Sequence, residues 1–314
     1  MRPLIPFVHQ IDTQEANVWL AALEILLPHC DIRLFSQLSE QERAQASIAI
    51  VANPRPDELT QLPSLKWVHS VWAGVERMVA ELSELPFDIV RLVDPNLAET
   101  MSEAVLAWVM YLHRDMPRYK AQQATATWQP RPYIEPVERR IAFLGLGELG
   151  QKSAQRLRQN GFSVSGWSRS LKNMDAIQCY AGEPGLTELL AQADIIVNLL
   201  PLTQDTKGLL NSDFFKQLKS GACVINFGRG ATIIEADLIA ALDAGQVSHA
   251  VLDVFEQEPL ETSSELWSHP GITLLPHISA QTSIESASRI VASNIDNYLD
   301  NGLMPQVVDK KRGY

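Results

Sequence analysis

Short apolar runs alternate with longer mixed stretches along most of this chain, a rhythm that predicts strands alternating with helices. In the first hundred residues, 5–9, 32–35, 47–51, 65–71 and 89–93 read as strands, with a helix over 15–27. The run at 65–71 opens into Trp72-Ala-Gly-Val75, and the last strand closes at a turn, Asp94-Pro-Asn. Thr100-Met-Ser-Glu103 has the spacing of a capping box before an apolar run, which predicts one long helix over about 101–124. Pro130, Pro132 and Pro136 then end that helix and deliver the chain to a new strand at Ile141.

Beyond this point the same rhythm resumes. Strands are expected at 162–167, 195–200, 223–227, 249–255 and 272–275, six with the one at Ile141, and helices at 186–191, 211–218 and 235–244. A final helix covers about 283–299. Strand and helix in alternation imply an α/β protein with mainly parallel sheets.

The strand at Ile141 runs directly into Gly145-Leu-Gly-Glu-Leu-Gly150. A dinucleotide site needs this order. Gly145 permits the tight turn, Gly147 lets a pyrophosphate approach the backbone, and Gly150 lets helix and strand pack closely. Glu148 and Leu149 would then open a helix whose free N–H groups attract phosphate. Six strands led by this fingerprint predict a doubly wound, Rossmann-type nucleotide domain. The second strand ends Trp167-Ser168-Arg169-Ser170, where NAD sites usually carry a carboxylate for the ribose hydroxyls. Two hydroxyls, a guanidinium and nearby Lys172 suit a 2'-phosphate instead, so NADPH/NADP+ is the expected cofactor, with NADH weaker.

The whole chain sets outer bounds. Its 314 residues favour two domains, and 46% hydrophobic with 20% charged residues describes a globular protein. A net charge of -11 argues against a nucleic-acid or membrane partner. Cys30, Cys179 and Cys223 form no CxxC pair, and no apolar run reaches spanning length, so a cytoplasmic protein is expected. The scattered histidines show no metal-ligand spacing, and no GxSxG elbow is present, so no metal and no serine nucleophile is expected.

Three polar residues fall at or near strand ends in the second half: Arg229, Glu258 and His277. Reduction of a 2-keto acid needs a guanidinium for the carboxylate and a proton donor for the carbonyl oxygen. His277 fits the donor, and Glu258 could hold its other ring nitrogen and favour the imidazolium. Taken singly, each has a plainer role as a turn arginine, a surface carboxylate or a structural histidine. Asp253, within an apolar segment, must find donors, either from a nicotinamide carboxamide or from the protein itself.

The chain as a whole resembles the D-isomer-specific 2-hydroxyacid dehydrogenase family. The resemblance rests on Ser70-Val-Trp-Ala-Gly-Val-Glu76, the glycine fingerprint, Asn198-Leu-Leu-Pro-Leu-Thr203 and Asn226-Phe-Gly-Arg-Gly230. It continues through Leu252-Asp-Val-Phe-Glu-Gln-Glu-Pro259, Pro276-His-Ile-Ser-Ala280 and Arg312-Gly-Tyr314. The resemblance implies carboxylate binding by Arg229, acid/base work by His277 and orientation of that histidine by Glu258. It implies that backbone N–H groups of Ala73 and Gly74 hold the substrate carboxylate beside Trp72. Leu200, Pro201, Thr206, Phe227 and Gly228 would line the cofactor cleft, with Asp253 at the nicotinamide end.

It further implies a homodimer and a nucleotide domain, residues 100–279, inserted into a smaller flavodoxin-like substrate domain, 1–99 with 280–314. The expected activity is reduction of glyoxylate or hydroxypyruvate, with the two domains closing over the substrate. Larger 2-keto or 2-hydroxy acids, or a nucleotide-sensing protein without turnover, stand as alternatives.

Overall fold

The apolar runs form the middles of two parallel sheets in the computed structural model, which describes residues 2–313. Tyr314, the last residue of the Arg312-Gly-Tyr314 motif, lies outside the described residues, as does Met1. One unit comprises the chain up to Asn96 and again from Thr282, and the other is Leu97–Gln281.

The first unit carries β1 (Leu4–His9), β2 (Asp31–Leu34), β3 (Ile48–Ala52), β4 (Trp67–Ser70) and β5 (Asp88–Val90), in the order β2-β1-β3-β4-β5. This is the flavodoxin-like order. Successive side chains of a strand point to opposite faces. Ile48, Ile50 and Ala52 therefore join Trp19, Leu23, Val291 and Ile295 under helices Thr13–Leu26 and Ile284–Asn301. Ala49 and Val51 join Leu59, Val68 and Met78 on the other face. Both faces are covered, which is why β3 reads as an unbroken apolar run.

The second unit carries β6 (Arg140–Leu144), β7 (Ser163–Trp167), β8 (Gln178–Tyr180), β9 (Ile195–Asn198), β10 (Ala222–Asn226), β11 (Val247–Leu252) and β12 (Ile272–Leu274). Their order is β12-β11-β10-β9-β6-β7-β8, all parallel. Counting from β6, this is the doubly wound Rossmann order with one strand added beyond the sixth. The fold is thus a Rossmann-type unit inserted into a flavodoxin-like one.

Four local expectations are corrected. The sheet of the second unit has seven described strands rather than six, because β8 is a three-residue edge strand too short to show a pattern. The helix expected over 101–124 starts earlier and is broken. It runs Pro95–His113, then a separate helix covers Met116–Ala124 after Asp115, which adopts left-handed φ of 55°. The Asp94-Pro-Asn sequence is a helix start, not a free turn. The Asp94 carboxylate accepts from the Asn96 N–H at 2.8 Å, and proline suits a first helical turn. Ser102, from the supposed capping box, lies inside the helix and donates its hydroxyl back to the Glu99 carbonyl at 2.7 Å.

Candidate active site

The switch point of the second sheet lies between β6 and β9, where open α/β sheets bind ligands beyond their carboxyl ends. The three glycines after β6 divide their tasks as the sequence pattern requires. Gly145 has φ of 98°, and a Cβ there would stand 2.9 Å from the Leu199 carbonyl oxygen. At Gly150 a Cβ would meet the Gly145 carbonyl oxygen at 1.9 Å, so only glycine lets helix Glu148–Gln159 approach the strand. A Cβ on Gly147 would meet nothing within 4 Å. That open space, at the N-terminus of the helix begun by Glu148 and Leu149, fits a pyrophosphate.

After β7 the chain turns through Ser168, whose hydroxyl donates to the Ser170 carbonyl at 2.9 Å. Ser168 is buried, while Arg169, Ser170 and Lys172 are exposed. The next carboxylate, Asp175, lies 3.6 Å from Arg158. No acid therefore follows β7 directly, and this turn fits a 2'-phosphate. Beyond β9, Leu200 is core and Thr206 braces its own loop, donating to the Pro201 carbonyl at 2.6 Å and accepting from the Thr203 N–H at 2.8 Å. Phe227 is likewise buried, and a Cβ on Gly228 would stand 2.7 Å from the Leu200 carbonyl oxygen. Leu200 and Phe227 thus support the cleft from within the core.

Arg229 sits in a loop whose shape is set by residues that sequence reasoning missed. Asn198 at the end of β9 donates to Asn226 Oδ1 (2.9 Å) and to Thr232 Oγ1 (2.8 Å). Asn226 Nδ2 and the Thr232 hydroxyl both donate to the Arg229 carbonyl, at 3.2 and 2.6 Å. All three side chains are buried, so the network locks the loop in a low-dielectric setting. The Arg229 guanidinium donates to the Gly228 carbonyl at 2.8 Å. A Cβ on Gly230 would fall 1.8 Å from the Phe255 carbonyl carbon, so the Arg229 loop lies directly against the 255–258 turn.

That turn holds the acid/base pair. Glu258 Oε2 is 2.7 Å from Nδ1 of His277, and its Oε1 accepts from the Phe255 N–H at 2.9 Å. An ionised carboxylate accepts only, so Nδ1 carries the shared hydrogen and Nε2 is the nitrogen left for chemistry. His277 has left-handed φ of 55°, an uncommon conformation for a residue with a side chain. Asp253 stabilises it. The carboxylate, 1% exposed, accepts from the N–H groups of Ile278 (2.7 Å) and Ser279 (2.9 Å). Of the two partners expected for Asp253, the structure shows the one within the protein, and Asp253 lies just past β11 rather than inside a strand.

The first unit, taken by itself, carries the predicted carboxylate loop after β4. Trp72 N–H donates to the Ser70 hydroxyl at 3.0 Å, its carbonyl accepts from Leu92 at 3.0 Å, and its ring packs edge-on against Trp19. Among the described residues the N–H groups of Ala73 and Gly74 donate to no acceptor. Two such donors in sequence suit a carboxylate. No helix among the described residues is long and apolar enough to cross a membrane.

Comparison with known proteins agrees with this geometry. Residues 106–279 match the D-isomer specific 2-hydroxyacid dehydrogenase, NAD binding domain family. The chain is 38% identical to glyoxylate/hydroxypyruvate reductase A of Yersinia enterocolitica, over 96% of this chain and 97% of that one. Among solved structures, a D-isomer specific 2-hydroxyacid dehydrogenase from Xanthobacter autotrophicus Py2, in complex with NADPH and MES, superposes with a TM-score of 0.92. It is 33% identical and covers all of both chains. The NADPH-dependent glyoxylate/hydroxypyruvate reductase of Sinorhizobium meliloti, in complex with NADP and sulfate, gives 0.90 at 31% identity over 99% of each chain. With its NAD(P)-binding domain and its Glu258–His277 pair, the chain belongs to the D-isomer specific 2-hydroxyacid dehydrogenase family.

Proposed function

We propose that this protein is an NADPH-dependent reductase of short 2-keto acids, converting glyoxylate to glycolate and hydroxypyruvate to D-glycerate. The observation that carries the proposal is the 2.7 Å contact of Glu258 with His277 Nδ1, on a turn packed against the Arg229 loop. Reductases of this name, with NADP bound in one case, are similar over almost the whole chain.

NADPH, when bound along the Gly145–Gly150 turn, supplies the hydride that reduces the keto carbon. Arg229 holds the substrate carboxylate and draws electron density toward the carbonyl oxygen, and within the first unit the Ala73 and Gly74 N–H groups are proposed as donors to a carboxylate. His277 enters the reaction as imidazolium and gives the Nε2 proton to that oxygen, leaving a neutral ring. Glu258 holds Nδ1 of the ring and fixes its tautomer and orientation. Reversal makes neutral His277 the base. Ser168, Arg169, Ser170 and Lys172 receive the 2'-phosphate, which makes NADPH preferred over NADH.

A homodimer is proposed as the working form. Its support is the concentration of exposed apolar side chains within residues 116–137, namely Met116, Tyr119, Trp128, Tyr133 and Val137, which burial against a second copy would remove from water. The cytoplasm, where free thiols persist, is the proposed compartment.

The test is steady-state oxidation of NADPH with glyoxylate and with hydroxypyruvate, each beside an NADH control. Turnover with NADPH well above NADH is expected. Tight NADPH binding without turnover of any 2-keto acid would replace this proposal with a nucleotide-sensing protein.

A further inference from the structure

In the first unit, contacts to backbone and ring converge on Trp72, and the two N–H groups after it stay unbonded. The Trp72 N–H donates to the Ser70 hydroxyl at 3.0 Å, and the Trp72 carbonyl accepts from the Leu92 N–H at 3.0 Å. Its ring meets Trp19 edge-on, with centroids 5.8 Å apart and planes at 89°. Ala73 and Gly74 follow, and among the described residues their N–H groups reach no acceptor.

Ser70 is anchored on every side. It has no exposed surface, its carbonyl accepts from His69 Nδ1 at 2.8 Å, and the next N–H, of Val71, donates to the Val51 carbonyl at 3.0 Å. A serine hydroxyl that accepts from the N–H two residues on closes a tight turn at the strand end. Here it takes up the Trp72 N–H, so the first N–H groups left for a ligand are those of Ala73 and Gly74. Trp19, on helix Thr13–Leu26, is also fully buried and shares a core cluster with Leu23, Ile50 and Val71. Neither indole N–H has an acceptor among the described residues. Packing that includes the edge-on contact, and no hydrogen bond, therefore sets the Trp72 ring.

We infer that Ser70 and Trp19 are positioning residues for the substrate carboxylate: Ser70 fixes the backbone of the Trp72–Gly74 loop, and Trp19 fixes the ring that heads it. The inference rests on the keto-acid reductase proposal and on the Ala73 and Gly74 N–H groups as carboxylate donors. Neither positioning residue carries the hydride or the proton. Their loss should weaken substrate binding without slowing the chemistry to match.

The test compares KM for glyoxylate, KM for NADPH, kcat and thermal midpoint in the full-length wild type, Ser70→Ala, Trp19→Leu and Trp19→Phe. Ser70→Ala removes one oxygen and should raise KM for glyoxylate about fivefold or more, with KM for NADPH and kcat moving less than about twofold. Trp19→Leu should raise KM for glyoxylate about fivefold or more as well. Trp19→Phe keeps an aromatic partner for Trp72 and should restore most of that loss even where its thermal midpoint stays low. A purely structural role would lower the midpoints and leave KM for glyoxylate within about twofold of wild type, which overturns the inference. Equal rises in both KM values overturn it too. Should Trp19→Leu fail to fold, Ser70→Ala decides alone. Absence of wild-type turnover with both glyoxylate and hydroxypyruvate removes the reductase proposal, and the inference with it.

Discussion

His277 is fixed twice. Its ring is held by Glu258 and its backbone by the two N–H groups that Asp253 accepts. Loss of the ring and loss of its supports should therefore look different in kinetics. His277→Ala should lower kcat by about 10²–10⁴ with little change in NADPH binding. Arg229→Ala should raise KM and lower kcat together, since the guanidinium serves both binding and charge. Near-wild-type kcat in both variants would remove these roles. Asp253→Asn sets an amide donor against one of two N–H donors, at a cost of about 1–3 kcal/mol, and should lower kcat more than it raises KM. The turn after β7 makes a separate prediction. Ser168→Asp should cut kcat/KM for NADPH by about tenfold or more, because a carboxylate there repels the 2'-phosphate, and it should raise NADH use. An unchanged cofactor ratio would mean that the turn does not meet the 2'-phosphate.

At the scale of elements, the strands were legible because burial on both faces writes itself as apolar runs, as in β3 and β9. The short β8 was not, since three residues carry no period. The helix break at Asp115 was hidden for another reason. A left-handed residue that is not glycine leaves no mark in sequence when the residues around it keep helical propensity. Glu258 and His277 were legible as chemistry, while Asn198 and Asn226 stood out only as members of family-like motifs and Thr232 not at all. Their role exists only once β9 and β10 lie side by side, and no local pattern encodes that pairing. The buried network makes a prediction of its own. Asn226→Leu removes one of the two acceptors of the Asn198 amide, one of the two donors to the Arg229 carbonyl and the acceptor of the Gly228 N–H. It should destabilise the protein by about 2–4 kcal/mol through unpaired buried groups. The KM for the keto acid should rise more than the KM for NADPH. Equal shifts in both constants would mean that the network holds the sheet and not the Arg229 loop.

For the molecule as a whole, pH dependence of stability has an identifiable source in the first unit. His69 lies in β4 with no exposed surface, and burial pushes its imidazole down to about 4 from 6.5. Its Nδ1–H donates to the Ser70 carbonyl at 2.8 Å, and Nε2 accepts from the Asn294 amide at 2.9 Å, so both nitrogens are satisfied in the neutral ring. The folded chain therefore keeps this histidine unprotonated down to about pH 4, while the unfolded chain protonates it below about 6.5. Within that window the unfolded state binds more protons, so stability falls as pH is lowered and levels off below about 4. The loss is on the order of 3 kcal/mol for His69. His249, also pushed down to about 4 by burial, adds a second loss of the same sign. Urea unfolding at pH 7 and at pH 4.5 should show the wild type losing stability across the interval. His69→Gln, less stable at pH 7 for want of the ring's packing, should lose only about half as much, because one of the two titrating rings is gone. An equal loss in wild type and variant would mean that the acid sensitivity resides elsewhere. The same substitution removes the His69 ring from its bond with Asn294, one of the contacts between β4 and helix Ile284–Asn301, so a KM for keto acid that rises in step would show that this contact also holds the Ser70–Gly74 loop in place.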